Sequence, residues 1–210
     1  MKLPRFYPIL DAETARLRGI DPVDAARQIL GAGAAILQFR HKNFWSRETL
    51  STAEAIAALA RDAHAIFVIN DRADFARLLD AALHLGQDDL APSDARRVVG
   101  AEAIVGFSTH NEAQLRAAAA EPVDYVALGP IFGTATKENP DPVVGIEELR
   151  RLRPLTLRSL VAIGGITRAN AQRVLEAGAD SVAVIGDLFP TEGTIGSRVE
   201  VWLGLTRQGV

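Results

Sequence analysis

A chain of 210 residues with 48% hydrophobic content can bury one sizeable core, and it is read as a single domain over 1–210. Its 23 basic and 26 acidic residues give a formal charge of −3 with no basic block, which argues against a nucleic-acid partner. The lack of cysteine excludes disulfides, thiolate catalysis and zinc–sulfur sites; with no membrane-length apolar run and no signal-peptide stretch, a cytoplasmic protein without a membrane partner is expected.

Short apolar runs alternate with alanine-rich amphipathic segments along the whole chain. The first strand is predicted over 7–10 and the first helix over 22–32, opened by Asp21 and Pro22. The second strand, 36–40, runs into Gln38-Phe39-Arg40-His41-Lys42. Side chains alternate across a strand, so Gln38, Arg40 and Lys42 share a face. An amide and two cations on one face are costly in a core unless an anion sits there, although a strand end whose cations reach solvent would also explain them.

A helix over 46–62 starts at Ser46 with Glu48. The third strand, 66–70, closes on Asn70-Asp71-Arg72; Asp71 either caps the next helix, 72–80, or offers a carboxylate to a magnesium ion. The fourth strand, 83–85, runs into His84-Leu85-Gly86-Gln87-Asp88-Asp89. Asp89, or Asp88, supplies a second carboxylate from the adjacent strand, and His84 reads as a satisfied core histidine. Helix 93–98, strand 104–108 and helix 111–119, started by Asn111 and Glu112, come next.

Strand six, 125–129, leads into Gly129-Pro130-Ile131-Phe132-Gly133-Thr134-Ala135-Thr136-Lys137. Two hydroxyls and an ammonium on a glycine-punctuated loop suit phosphate oxygens, although an ordinary loop has the same composition. After helix 145–152, strand seven (160–164) ends at Ile163-Gly164-Gly165-Ile166; after helix 169–177, strand eight (182–185) ends at Ile185-Gly186. Glycines at these two ends let backbone amides approach a phosphate. A helix over 195–204 completes the series.

Eight such pairs without an inserted domain predict a compact (β/α)8 TIM barrel, the alternative being an open doubly wound sheet. In a barrel all of these strand ends open on one mouth. Two anion sites would share it: one with a metal and cations near strands two to four and six, the other with backbone amides near strands seven and eight. A metal with three cationic groups suits a pyrophosphate leaving group, and no nucleophile emerges.

These motifs, in this order, resemble the thiamine-phosphate synthase family, whose members join the pyrimidine and thiazole halves of thiamine. The likeness rests on Gln-x-Arg-x-Lys at Gln38, Arg40 and Lys42, Asn-Asp-Arg at 70–72, His-x-Gly-Gln-x-Asp at 84–89, Gly-x-Ser at Gly106 and Ser108, the loop 129–137, and Ile-Gly-Gly-Ile at 163–166. It implies a transferase that condenses 4-amino-2-methyl-5-hydroxymethylpyrimidine diphosphate with 4-methyl-5-(2-hydroxyethyl)thiazole phosphate, releasing pyrophosphate by a dissociative route. Asp71 and Asp89 would hold Mg²⁺, making Asp89 rather than Asp88 the ligand. Arg40, Lys42 and Lys137 would act catalytically on the pyrophosphate and bind it with Asn70, with Gln38 and Ser108 near the pyrimidine or diphosphate. Thr134, Thr136, Gly165, Ile185 and Gly186 would hold the thiazole phosphate.

Two positions depart from the family pattern: His41 stands at a usually acidic site but on the opposite strand face, and Gly186 replaces a common serine. The rival readings are a thiazole tautomerase-like paralogue and a non-catalytic phospholigand-binding barrel. The retained Gln38, Asp71 and Asp89, with Pro130 where some tautomerases carry histidine, favour the synthase. The expected partners are small phosphorylated molecules, and assembly into a homo-oligomer is left open.

Overall fold

The computed structural model describes residues 1–133 and 141–207. Its centre is a closed barrel of eight parallel strands in sequential order. These are β1 (Phe6–Asp11), β2 (Ile36–Arg40), β3 (Ile66–Asn70), β4 (Ala82–Leu85), β5 (Val105–Thr109), β6 (Tyr125–Leu128), β7 (Ser159–Ile163) and β8 (Ser181–Val184). Pairing of β1 with β8, Tyr7 opposite Ala183, closes the ring and rules out the open sheet.

Around it run α1 (Ala12–Leu17), α2 (Pro22–Gly31), α3 (Arg47–Asp62), α4 (Ala73–Leu78), α5 (Pro92–Val99), α6 (Glu112–Ala118), α7 (Ile146–Leu152), α8 (Ala171–Glu176) and α9 (Ile195–Arg207). The expected caps form: Asp21, Ser46 and Asn111 accept from the backbone N–H groups of Asp24, Thr49 and Gln114. Helix α1 was not anticipated. Its six residues are too few to show a 3.6-residue period, and it is held by its cap, Asp11, which accepts from Thr14 N at 2.8 Å and Thr14 Oγ1 at 2.7 Å.

Alternation along the strands separates two apolar layers. Tyr7, Ile9, Ile36, Val68, Ala82, Tyr125, Ala127, Val161 and Ala183 fill the barrel interior. Phe6, Leu10, Leu37, Phe39, Ile69, Leu83, Val126 and Leu128 face outward and pack in the core beneath the helices. The C-terminal strand ends are thereby left to polar residues. Among the described residues no helix is long and apolar enough to cross a membrane.

Candidate active site

A cavity of about 790 Å³ opens at those strand ends, within the range of small-ligand sites. It is lined by Gln38, Arg40, Lys42, Asn70, Asp71 and Asp89 on one side and by Ser108, Gly165, Ile185 and Gly186 on the other. Thus every candidate residue within the described chain reaches one mouth. Thr134, Thr136 and Lys137 lie outside the described residues.

Strand β2 ends at Arg40, so Lys42 stands on the following loop rather than on the strand, as the alternation had placed it. Its Nζ donates to Asp71 Oδ2 at 2.5 Å. Asp71 is not a helix cap: the N-cap of α4 is Arg72, without a side-chain cap bond. Instead Asp71 takes a φ of 66° while Arg72 N donates to Asn70 O at 2.8 Å, a tight γ-turn. A non-glycine residue pays a conformational penalty there, of about 1–3 kcal/mol. The turn aims the carboxylate at Lys42 and toward Asp89.

Burial and the neighbouring Asp89 carboxyl raise the Asp71 pKa to about 6 against the opposing pull of Lys42. Asp89 is itself fixed by Gly86 N, which donates to Oδ2 at 2.7 Å, whereas Asp88 is exposed. Two carboxylates facing each other, one of them held back from ionising by burial and by its neighbour, suit a cation placed between them. No group of three or more metal-ligating side chains exists among the described residues. The pair therefore fits a hard ion such as Mg²⁺, which keeps waters and takes substrate phosphate oxygens with one or two carboxylates. Beside it Asn70 Nδ2 is buried without a hydrogen-bond partner, a donor left for a ligand oxygen.

Arg40 carries a partner that sequence reasoning missed. Its guanidinium bonds Asp11 Oδ2, and Asp11 is 3% exposed, with Oδ1 occupied by Thr14. The one available signal was Asp11 itself, an acid closing the first apolar run. His110 was also missed. Its ring Nδ1 lies 2.6 Å from Gly129 O and 3.6 Å from Asp141 Oδ2, and both His110 and Asp141 line the cavity.

Gln38 and Ser108 sit apart from the charged cluster. Gln38 Nε2 donates to Tyr7 Oη at 2.9 Å, and Ser108 Oγ lies 2.9 Å from His84 Nε2. His84 is a satisfied core histidine, as expected: its Nδ1 bonds Tyr125 Oη at 2.9 Å, and burial pushes its pKa down to about 4. His41 stacks on Phe39 at 6.3 Å and meets Trp45 edge-on at 5.9 Å, on the helix-facing side of β2.

The glycine turns have a packing reason besides ligand access. A Cβ on Gly164 would stand 2.5 Å from Pro130 Cα, and one on Gly165 would stand 2.5 Å from Gly133 O. Their absence lets Ile131 N and Phe132 N donate to Ile163 O and Gly164 O at 2.8 and 3.0 Å, which locks the β6 and β7 ends together. Gly186 has no atom within 4 Å of a built Cβ, so its side faces open space. The neighbouring Asp187 is neutralised by Arg168 at 3.0 Å and Arg198 at 3.2 Å.

The family model for thiamine monophosphate synthase matches residues 6–188. The chain is 49% identical to a thiamine-phosphate synthase of Koribacter versatilis, over 90% of each chain. It is 44% identical to one of Methanoculleus marisnigri, over 80% of each. Among solved structures, a thiamine phosphate pyrophosphorylase from Pyrococcus furiosus superposes with a TM-score of 0.85 at 29% identity, over 97% of this chain and 96% of that one. With the family model matching residues 6–188 and relatives at 44% and 49% identity over most of their length, the chain belongs to the thiamine monophosphate synthase family.

Proposed function

We propose that this chain is a thiamine-phosphate synthase: it joins the hydroxymethylpyrimidine diphosphate to the thiazole phosphate, forming thiamine monophosphate and releasing pyrophosphate. The observation that carries this reading is the facing pair Asp71 and Asp89, flanked at the same mouth by Arg40, Lys42 and the unpartnered amide of Asn70.

Asp71 and Asp89 would hold Mg²⁺, which when bound neutralises charge developing on a leaving diphosphate. Arg40, Lys42 and Asn70 bind the diphosphate oxygens, joined by Lys137 on this assignment. The donors of Arg40, Lys42 and Asn70 are placed before reaction, so the leaving group gains charge among groups already at the mouth. The bond between the pyrimidine methylene carbon and the diphosphate oxygen breaks, with the electron pair leaving on pyrophosphate. The thiazole nitrogen then donates its lone pair to that carbon. Gln38 and Ser108 orient the pyrimidine, while Thr134, Thr136 and the amides around Gly165, Ile185 and Gly186 hold the thiazole phosphate. No side chain needs to act as a nucleophile, because positioning and electrostatics supply the catalysis.

On this reading residues 1–210 form one catalytic domain, working in the cytoplasm on small phosphorylated substrates. The test supplies both substrates with Mg²⁺ and follows thiamine monophosphate and pyrophosphate. Equal amounts of the two products are expected, and Asp89→Ala should abolish most turnover with an unchanged circular dichroism spectrum. Folded wild-type protein that releases neither product would overturn the assignment.

A further inference from the structure

Below the charged cluster, five side chains from five strands form an unbroken hydrogen-bond chain across the barrel. Gln38 Nε2 donates to Tyr7 Oη at 2.9 Å, Tyr7 Oη meets Tyr125 Oη at 2.8 Å, Tyr125 Oη meets His84 Nδ1 at 2.9 Å, and His84 Nε2 meets Ser108 Oγ at 2.9 Å. The two tyrosines in the middle are buried, with Tyr7 1% and Tyr125 0% exposed. Both ends, Gln38 and Ser108, line the cavity. Room for the chain is built into β5: a Cβ on Gly106 would stand 2.0 Å from Tyr125 Cζ, so only glycine admits that ring. The His84 and Tyr125 rings stack at 5.5 Å, which fixes their shared bond.

The direction of this chain follows from proton counting. A hydroxyl has one proton to give. Tyr7 Oη accepts from the Gln38 amide and so gives its proton to Tyr125 Oη. Tyr125 gives its own to His84 Nδ1. A neutral imidazole that accepts at Nδ1 carries its proton on Nε2, where it donates to Ser108 Oγ. A hydroxyl oxygen can accept twice, but reversing one bond alone would leave a buried hydroxyl proton without an acceptor, so the arrangement that satisfies every donor runs in one direction throughout. At its ends the cavity receives fixed chemistry: the Ser108 proton as a donor and Gln38 Oε1 as an acceptor.

We propose that Tyr7, Tyr125 and His84 are positioning residues that fix the polarity of the cavity floor. The floor then selects a heteroaromatic ring with an amino group for Gln38 and an unprotonated ring nitrogen for Ser108. The matching oxo ring offers a carbonyl and a ring N–H, the reverse pattern, and leaves both floor groups unpaired. This selectivity rests on the aminopyrimidine reading above; the direction of the chain does not.

Two measurements test it. Nitrogen-15 NMR of the ligand-free protein reads the tautomer of His84, one of four histidines, assigned by its loss in His84→Gln. The Nε2–H tautomer at neutral pH is expected, and the Nδ1–H tautomer would overturn the proposal. The second compares kcat/KM for the 4-amino and 4-oxo pyrimidine diphosphates. The wild type should prefer the amino ring by at least about a hundredfold, and Tyr125→Phe should cut that ratio by about tenfold or more, mainly through KM. Tyr7→Phe serves as the second isosteric variant should Tyr125→Phe not fold. A ratio unchanged by either folded variant would overturn the positioning role. Absence of turnover with both rings would instead overturn the synthase reading, and the tautomer would then decide the direction of the chain by itself.

Discussion

Arg40 reaches the mouth as half of an ion pair with the buried Asp11. The same carboxylate caps α1, so one residue ties a helix start to a substrate-facing cation. Asp11→Asn keeps a cap acceptor but removes the charge that holds the guanidinium. We expect kcat/KM to fall roughly tenfold or more through misplacement of Arg40, with helicity retained; steady-state kinetics beside circular dichroism would read it. His84 gives a pH signature. Its folded pKa of about 4 lies below the 6.5 of the unfolded chain. The unfolded state therefore binds more protons across that window, and the stability tied to neutral His84 is present above 6.5 and lost as pH falls toward 4. Urea unfolding in metal-free buffer should show a steeper loss between pH 7 and 4.5 for wild type than for His84→Gln. Parallel curves would refute it.

At the scale of elements, the loops after β6 to β8 are shaped by what their glycines omit. Those at 164 and 165, with φ of 96° and 62°, bring two strand ends into backbone contact. Gly186 differs, because a side chain there meets open space beside the cavity. Gly186→Ser should therefore fold normally and add one hydroxyl to the proposed thiazole-phosphate subsite. One hydrogen bond gained is worth about 1 kcal/mol, so the Michaelis constant for that substrate should drop roughly fivefold. An unchanged or higher value in kinetics at saturating pyrimidine substrate would remove this loop from the subsite.

The whole molecule depends on closing the ring at β1 and β8, and α9 seals that seam from outside. Trp202 on α9 is fully buried and stacks on Phe6 of β1 with ring centroids 5.3 Å apart. Trp202→Ala leaves a cavity against the closing strand. A loss of about 3–5 kcal/mol is expected from the urea midpoint at constant slope, enough to unfold a marginally stable domain. A loss under about 1 kcal/mol would mean that the helix contributes little to closure.

Alternation of short apolar runs with amphipathic segments was enough to identify all eight strands, because periods of 2 and 3.6 residues record which face each element buries. The ordered motifs around Gln38, Asn70, His84 and Gly164 likewise named many of the residues that line the mouth, though not His110 or Asp141. Strand ends slipped by a residue and Lys42 moved onto a loop, since local pattern does not record where hydrogen bonding to a neighbouring strand stops. Beyond the pairing of Asp71 with Asp89 from adjacent strand ends, partnership was not legible in the sequence. That Asp71 turns away from its helix toward Lys42, that Arg40 belongs to Asp11, and that Tyr7 meets Tyr125 across 118 residues follow only from closure of the sheet. Periodicity says how a segment faces the core; tertiary structure decides what it finds there.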